Sequence, residues 1–433
     1  MSPKVSEKTF CVGPWTEVRI SADGSLNFCH AADRSNIPDN EYVQTMSVDQ
    51  YFDCSESVTQ ARNQILQGRT VDACSNCYHN DQLGVISFRQ RRNLQYAIFP
   101  NKDFEPSVIQ SNFWDDIAAN NFKPRFYHVS LSNLCNMSCL MCNPRDSSLF
   151  AATKQRVKNT IPILPTLTDW TQDTAWDKFC EHILNNQHIV CIHVMGGEPM
   201  YHKKFKEFLT LLVKHQHTDF HFTFVTNGSM FDSNLITLLK NFRTVSVEIS
   251  LETVTKANDY IRRFGHPTKM ILDNIDQWCK HRDRNFDVVL RSVPQALSVL
   301  DYDQLLYFAL DKQLLIDSNW LQSPQFLKSN ILPNNIKHTV TQRLSKFLHG
   351  ANTVVDINLR NQSRVWSNLE LNAAAVIEQM NLPAQDLEQQ RTKFAEWCAG
   401  FDRERGIHAQ DYVPELLKFL NSYHYEMLNS DLP

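Results

Sequence analysis

The sequence predicts an α/β protein built on a partial (β/α)6 barrel, and three observations predict it. Six strand-like runs recur between residues 126 and 322: FYHVSLS (126–132), HIVCIHVMG (188–196), FHFTFVTNG (220–228), TVSVEISLE (244–252), FDVVLRSVP (286–294) and LLIDSNWLQ (314–322). Longer stretches with helical spacing, such as KFKEFLTLLVKH and KMILDNIDQWCKH, separate them, and strands alternating with helices imply a parallel sheet. Six units are too few to close an eight-fold barrel, so an open, TIM-like one is expected, with its chemistry at the C-terminal strand ends.

Taken in chain order, residues 1–125 read as a cysteine-bearing domain. Cys11 precedes GPW, Cys29 closes a G-x4-C spacing from Gly24, and Cys74 and Cys77 form C-x2-C after the amphipathic segment VTQARNQILQGR. Four thiols in this order suit a closed zinc site or an iron–sulfur cluster, and spacing alone does not choose between them. Cys54 reads as a buried thiol, and the charge run SFRQRRN, with Arg89, Arg91 and Arg92, as a solvated helix face.

The first barrel strand is followed at once by CNMSCLMC, a C-x3-C-x2-C spacing of Cys135, Cys139 and Cys142. A cubane cluster wants one ligand per iron, so three thiolates leave one iron open to a small molecule. A structural zinc site would need a fourth ligand; His128 and His193 are available but lack conventional spacing to this segment. His193 alternates with Cys191 and Met195 on one strand face and is expected to point into the barrel, toward substrate. His215, His217 and His221 read as exposed residues between a helix and a strand. Residues 323–433 read as a helical extension, from TVTQRLSKFL, LEQQRTKFAEWCAGF and VPELLKFLNSY, with FDRERGIHAQD (401–411) as a solvated helix junction.

Composition narrows the class. At 433 residues the chain has room for about three domain-sized units. A net charge of −4 argues against a generally basic nucleic-acid binder. The polar start MSPKVSEKTF lacks a signal-peptide pattern, and runs such as FLTLLV are too short to span a bilayer, so no membrane partner and a cytoplasmic location are expected. Twelve cysteines in a reducing compartment point to metal or redox roles rather than a disulfide framework, while the scattered Cys180, Cys191, Cys279 and Cys398 read as core residues.

The cysteine triad after the first strand resembles the signature of the radical S-adenosylmethionine (radical SAM) enzymes, with Met141 where many members carry an aromatic residue. MGGEPM at the end of the second strand is similar to the family's GGEP motif, FVTNGS ends the third strand, and VEISLE followed by YIRRFG ends the fourth. The resemblance covers about residues 126 to 322. It implies a 4Fe–4S cluster on Cys135, Cys139 and Cys142, and S-adenosylmethionine bound by Gly196, Gly197, Glu198, Asn227, Ser250, Glu252 and Arg262. Glu252 stands where aspartate is common. The N-terminal region resembles a SPASM or twitch auxiliary domain and would place a second cluster on Cys11, Cys29, Cys74 and Cys77. It departs from that pattern in preceding the barrel and in lacking the further cysteines of a two-cluster domain.

The resemblance implies reductive cleavage of S-adenosylmethionine to a 5′-deoxyadenosyl radical that abstracts hydrogen from substrate, with the auxiliary cluster passing electrons. It implies an electron donor such as flavodoxin or ferredoxin. Enzymes with such auxiliary domains most often modify peptides or proteins, so a peptide or protein substrate is expected. A small metabolite is the alternative, since no leader-peptide-binding domain is evident, and a non-catalytic iron–sulfur or zinc protein is a third reading.

Overall fold

The computed structural model describes residues 5–33, 37–82, 87–96, 98, 113–119, 122–158, 167–262, 266–350 and 364–428. Its fold is α/β as expected: eight mostly parallel strands alternate with helices, in keeping with a partial barrel, and the C-terminal region is helical. The chain divides into two compact units that interleave along the sequence. Unit 1 holds residues 1–133, 168–223 and 241–243; unit 2 holds 134–167, 224–240 and 244–433.

Unit 1 contains β1 (Glu17–Ile20), β2 (Leu26–Asn27), β3 (Phe126–Ser130), β4 (Cys191–Met195) and the start of β5 (His221–Thr226). β1 pairs antiparallel with β2 and parallel with β3, and β3 pairs parallel with β4. The N-terminal region therefore adds two strands that the six-unit reading did not contain. Alternation splits these strands into two faces. Val18, Ile20, Tyr127, Val129, Ile192 and Val194 are at most 1% exposed and form the apolar face. On the helix Lys203–Lys214, Phe205, Phe208, Leu209 and Leu212 are buried, and the Phe205 ring meets Phe222 of β5 at 6.3 Å. The opposite face is polar: Arg19, His128 and His193 lie side by side across β1, β3 and β4.

Unit 2 contains the end of β5 and β6 (Thr244–Ser250), β7 (Phe286–Ser292) and β8 (Leu315–Ser318), with β6, β7 and β8 paired in parallel. Val245, Val247, Ile249, Val288, Leu290 and Ile316 are buried, and Trp278 of the helix Thr268–Cys279 packs on Phe224 and Phe286. Ser250, Arg291 and Asp317 occupy the other face in register. The helices Asn334–Gly350, Arg364–Asn381, Leu387–Arg405 and Pro414–Asn421 form the C-terminal extension. Among the described residues no helix is long and apolar enough to cross a membrane.

Candidate active site

In unit 2 the loop after β3 carries Cys135, Cys139 and Cys142. The Met137 N–H donates to Cys135 Sγ at 3.4 Å, and the Cys142 N–H closes a turn onto the Cys139 carbonyl at 3.0 Å. Burial pushes the Cys139 and Cys142 thiols up; neighbouring Cys139, Asp146 and Cys135 push Cys142 further, while Arg262 and Arg405 pull Cys139 back. Burial thus favours the neutral thiols, and a metal centre would supply the positive charge that stabilises the thiolates. Three thiols, an N–H donor to sulfur and two guanidinium groups suit an anionic iron–sulfur cluster.

Long-range contacts within unit 2 hold this loop. The Leu140 N–H donates to the Ile261 carbonyl at 2.8 Å, and Ser147 Oγ donates to the Met137 carbonyl at 2.8 Å. Arg405, at the end of the helix Leu387–Arg405, donates to the Tyr260 carbonyl at 2.8 Å and the Ser138 carbonyl at 2.5 Å. The 401–411 segment is thus no solvated junction: Asp402 is fully buried and Arg405 ties the cysteine loop to the helix Lys256–Arg262. Sequence reading missed Arg405 because its partners lie far along the chain. The one local signal was its place just before Gly406, a left-handed helix cap at φ 64°.

The expected nucleoside-side residues of unit 2 divide by their partners. Asn227 Nδ2 donates to Asn136 Oδ1 at 2.7 Å and Asn136 Nδ2 donates to Ser229 Oγ at 2.9 Å, so the TNG turn is joined to the cysteine loop. Gly228 sits at φ 74°, and a Cβ there would lie 2.8 Å from Ile271 Cγ2 and 2.9 Å from Ile249 Cγ2. Glu252 is fully buried; it accepts from Arg262 Nη1 at 2.7 Å and from the Val293 N–H at 2.6 Å. Burial raises the Glu252 carboxyl, with Arg262 opposing. Glu252 is thereby engaged by protein groups, whereas Arg262 Nε is buried without a partner among the described residues. Ser250 ends β6 beside Arg291, which pairs with Glu248 and lies 3.3 Å from Asp317.

Unit 1 carries the remaining expected residues. Gly196 and Gly197 take φ 76° and 59°, and a Cβ on Gly196 would lie 2.6 Å from Ser130 Cβ, so only glycine fits. Glu198 is buried and accepts from the Met200 N–H at 3.0 Å, capping the short turn Pro199–Tyr201. Cys11, Cys29, Cys74 and Cys77 are all buried. Burial pushes each thiol up, Cys74 to about 12, and the other cysteines raise Cys11 and Cys29 further. The Gly13 N–H donates to Cys11 Sγ at 3.3 Å and the Ala31 N–H to Cys29 Sγ at 3.4 Å.

Two readings are corrected here. Arg89 and Arg92 are 4% and 6% exposed rather than solvated: Arg89 pairs with Asp81 at 2.5 Å and Arg92 with Glu17 at 2.5 Å. Burying a guanidinium requires such a partner, and both carboxylates lie outside the charge run. Cys54 is exposed at the end of the helix Val48–Cys54, because its side of that helix faces away from Val48, Tyr51 and Phe52.

Comparison with protein families matches the radical SAM superfamily over residues 129–293. The chain carries a radical SAM domain. A 4Fe–4S cluster and S-adenosylmethionine are the cofactors this domain implies, and the cysteine triad lies inside the matched span. No curated protein matches in sequence. Among solved structures, SuiB of Streptococcus suis bound to precursor peptide SuiA is 14% identical, covering 65% of this chain and 60% of that one, with a TM-score of 0.35. SuiB bound to S-adenosylmethionine is 13% identical, covering 79% and 69%, with a TM-score of 0.34. Native anSMEcpe with bound AdoMet is 13% identical, covering 55% and 63%, with a TM-score of 0.41.

Proposed function

We propose that this radical SAM protein modifies a peptide or protein substrate, using a 4Fe–4S cluster on Cys135, Cys139 and Cys142 and an auxiliary iron–sulfur cluster on Cys11, Cys29, Cys74 and Cys77. The observation that carries the reading is the three-thiol loop anchored beside Arg262 and Arg405, followed by GGEP, TNG and SLE at successive strand ends. When bound, the cluster and S-adenosylmethionine supply a one-electron reductive cleavage that yields the radical for hydrogen abstraction.

By the resemblance, Gly196 and Gly197 would let the backbone approach the methionine moiety of S-adenosylmethionine, with Glu198 beside them. In unit 2, Arg262 would offer Nε to a carboxylate and Ser250 a hydroxyl to the ribose, while Asn227 fixes the cysteine loop through Asn136. Glu252 holds Arg262 in place. In unit 2 the charged row Glu248, Arg291 and Asp317 suits a substrate rich in amide and charged groups rather than an apolar one. The resemblance of residues 1–125 to a twitch-like domain supports the auxiliary cluster and, with it, the peptide substrate. Residues 126–322 would then be the barrel and 323–433 the helical extension. A cytoplasmic flavodoxin or ferredoxin would supply electrons.

The substrate class is tested with cell extract grown in deuterated medium and separated into peptide and small-metabolite fractions. Reconstituted protein is given each fraction, and deuterium is measured in the 5′-deoxyadenosine formed. Deuterium arriving from the peptide fraction supports the proposal; deuterium arriving solely from the small-metabolite fraction overturns it. A Cys74→Ser/Cys77→Ser variant should fall from about 8 irons to about 4, and an unchanged iron count would remove the auxiliary cluster from the account.

A further inference from the structure

Unit 1 contains a second constellation of metal-ligating groups, which shares no residue with either cysteine set although His30 directly follows Cys29. Glu17 of β1, His30 on the loop after β2, and His128 of β3 each present one ligand atom, all within 4.8 Å of one another. His30 Nδ1 lies 3.9 Å and His128 Nε2 3.5 Å from the same oxygen, Glu17 Oε2. The two imidazoles stack with centroids 4.2 Å apart, and the His193 ring lies 5.6 Å from His128.

Two features distinguish this cluster from an ordinary buried polar network. The first is what it leaves unsatisfied. Glu17 is fully buried and His128 is 6% exposed, yet Glu17 Oε2, His30 Nδ1 and both ring nitrogens of His128 are enclosed without a hydrogen-bond partner among the described residues. Buried polar atoms are ordinarily paired, and leaving one unmade is costly. The second is that neighbouring groups fix the ligands without using the inward atoms. Arg92 takes Glu17 Oε1 at 2.5 Å and leaves Oε2 to face the two imidazoles. Arg19 Nη1 donates to the His30 carbonyl at 2.7 Å and so fixes the backbone that carries the ring. Strand pairing sets His128 beside Arg19 on one side and His193 on the other.

We propose that Glu17, His30 and His128 form a binding site for a single zinc-type divalent cation, distinct from the iron–sulfur sites. Atoms at these separations surround a point roughly 2–2.5 Å from each, against about 2.0–2.2 Å for zinc to nitrogen and carboxylate oxygen, so a shift of a few tenths of an ångström closes the shell. Two imidazoles and one carboxylate leave a fourth position for water or a substrate donor. The positive charge of Arg19 and Arg92 works against a cation held by charge alone. It therefore favours a borderline metal bonded to imidazole nitrogen over magnesium or calcium.

The test titrates zinc into the anaerobic protein with its iron–sulfur centres loaded, against a chromophoric chelator, alongside His30→Gln and His128→Gln variants. Cobalt(II) replaces zinc in a parallel spectroscopic titration. The expected result is one zinc per chain, weakened at least about 100-fold in both variants with iron content unchanged. Cobalt should show ligand-field bands without thiolate charge transfer. His30 is 28% exposed in its side chain, so His30→Gln remains informative if His128→Gln does not fold. Absence of a zinc equivalent, unchanged affinity in the folded variants, or thiolate charge transfer with cobalt would each overturn the proposal.

Discussion

Replacing Arg405 by methionine should loosen the cysteine loop without unfolding the protein. Methionine keeps much of the apolar stem that packs near Phe401, whose ring lies 5.0 Å from the guanidinium carbon, and removes only the charged fork. That fork makes two charge-assisted hydrogen bonds to backbone carbonyls, at Tyr260 and Ser138. At roughly 1.5–3 kcal/mol each they contribute about 3–6 kcal/mol. Water reaching the freed carbonyls offsets part of this, leaving about 3 kcal/mol, or roughly a hundred-fold in the loop's opening equilibrium. The assay is the rate at which a ferrous chelator bleaches the reconstituted protein, compared with wild type and with Lys393→Met, a change at an exposed position of the same helix. Arg405→Met should lose iron about 10–100 times faster while Lys393→Met matches wild type. Equal rates in all three would show that the 401–411 segment does not hold the site.

The remaining predictions address the frame around the site. Gly228→Ala should cost about 2–4 kcal/mol in denaturant unfolding of the metal-free protein, since it adds left-handed strain to overpacking against Ile249 and Ile271; an unchanged midpoint would contradict the turn geometry. Glu252→Gln should destabilise by about 3–5 kcal/mol by stranding buried Arg262, and a Glu252→Gln/Arg262→Met double variant should recover part of that loss. Burial would raise the Asp169 carboxyl, but hydrogen bonds from Thr171, Gln172 and His202 outweigh it and hold it below its ordinary value of 3.8. Its contribution is therefore present above that pH and is lost as pH falls through the folded value, so Asp169→Asn should flatten the acid limb of the stability curve.

The parts of this molecule that the sequence made legible are those whose causes are local. Cys135, Cys139 and Cys142 fall within eight residues, and the six barrel strands announce themselves by runs such as VSVEIS, whose alternate residues are buried. β1 escaped notice because EVRI offers only two apolar residues, and its Glu17 and Arg19 are buried by contacts from elsewhere. The same reason hid the roles of Arg89, Arg92 and Arg405. A charge run looks solvated until its partners are known, and Asp81, Glu17 and Ser138 can be matched to them only once the chain has folded. The cluster of Glu17, His30 and His128 was invisible for that reason too, since strand register rather than spacing brings β1 beside β3.

The most direct test of the central claim is 5′-deoxyadenosine formation from S-adenosylmethionine and dithionite by anaerobically reconstituted protein, run beside a Cys135→Ala/Cys139→Ala/Cys142→Ala variant with iron counted in both. The account predicts nucleoside from the wild type, none from the variant, and about 4 irons lost with the three cysteines. Wild-type protein with full iron that releases no 5′-deoxyadenosine, or a variant that still releases it, would contradict the assignment of the reactive cluster to this loop.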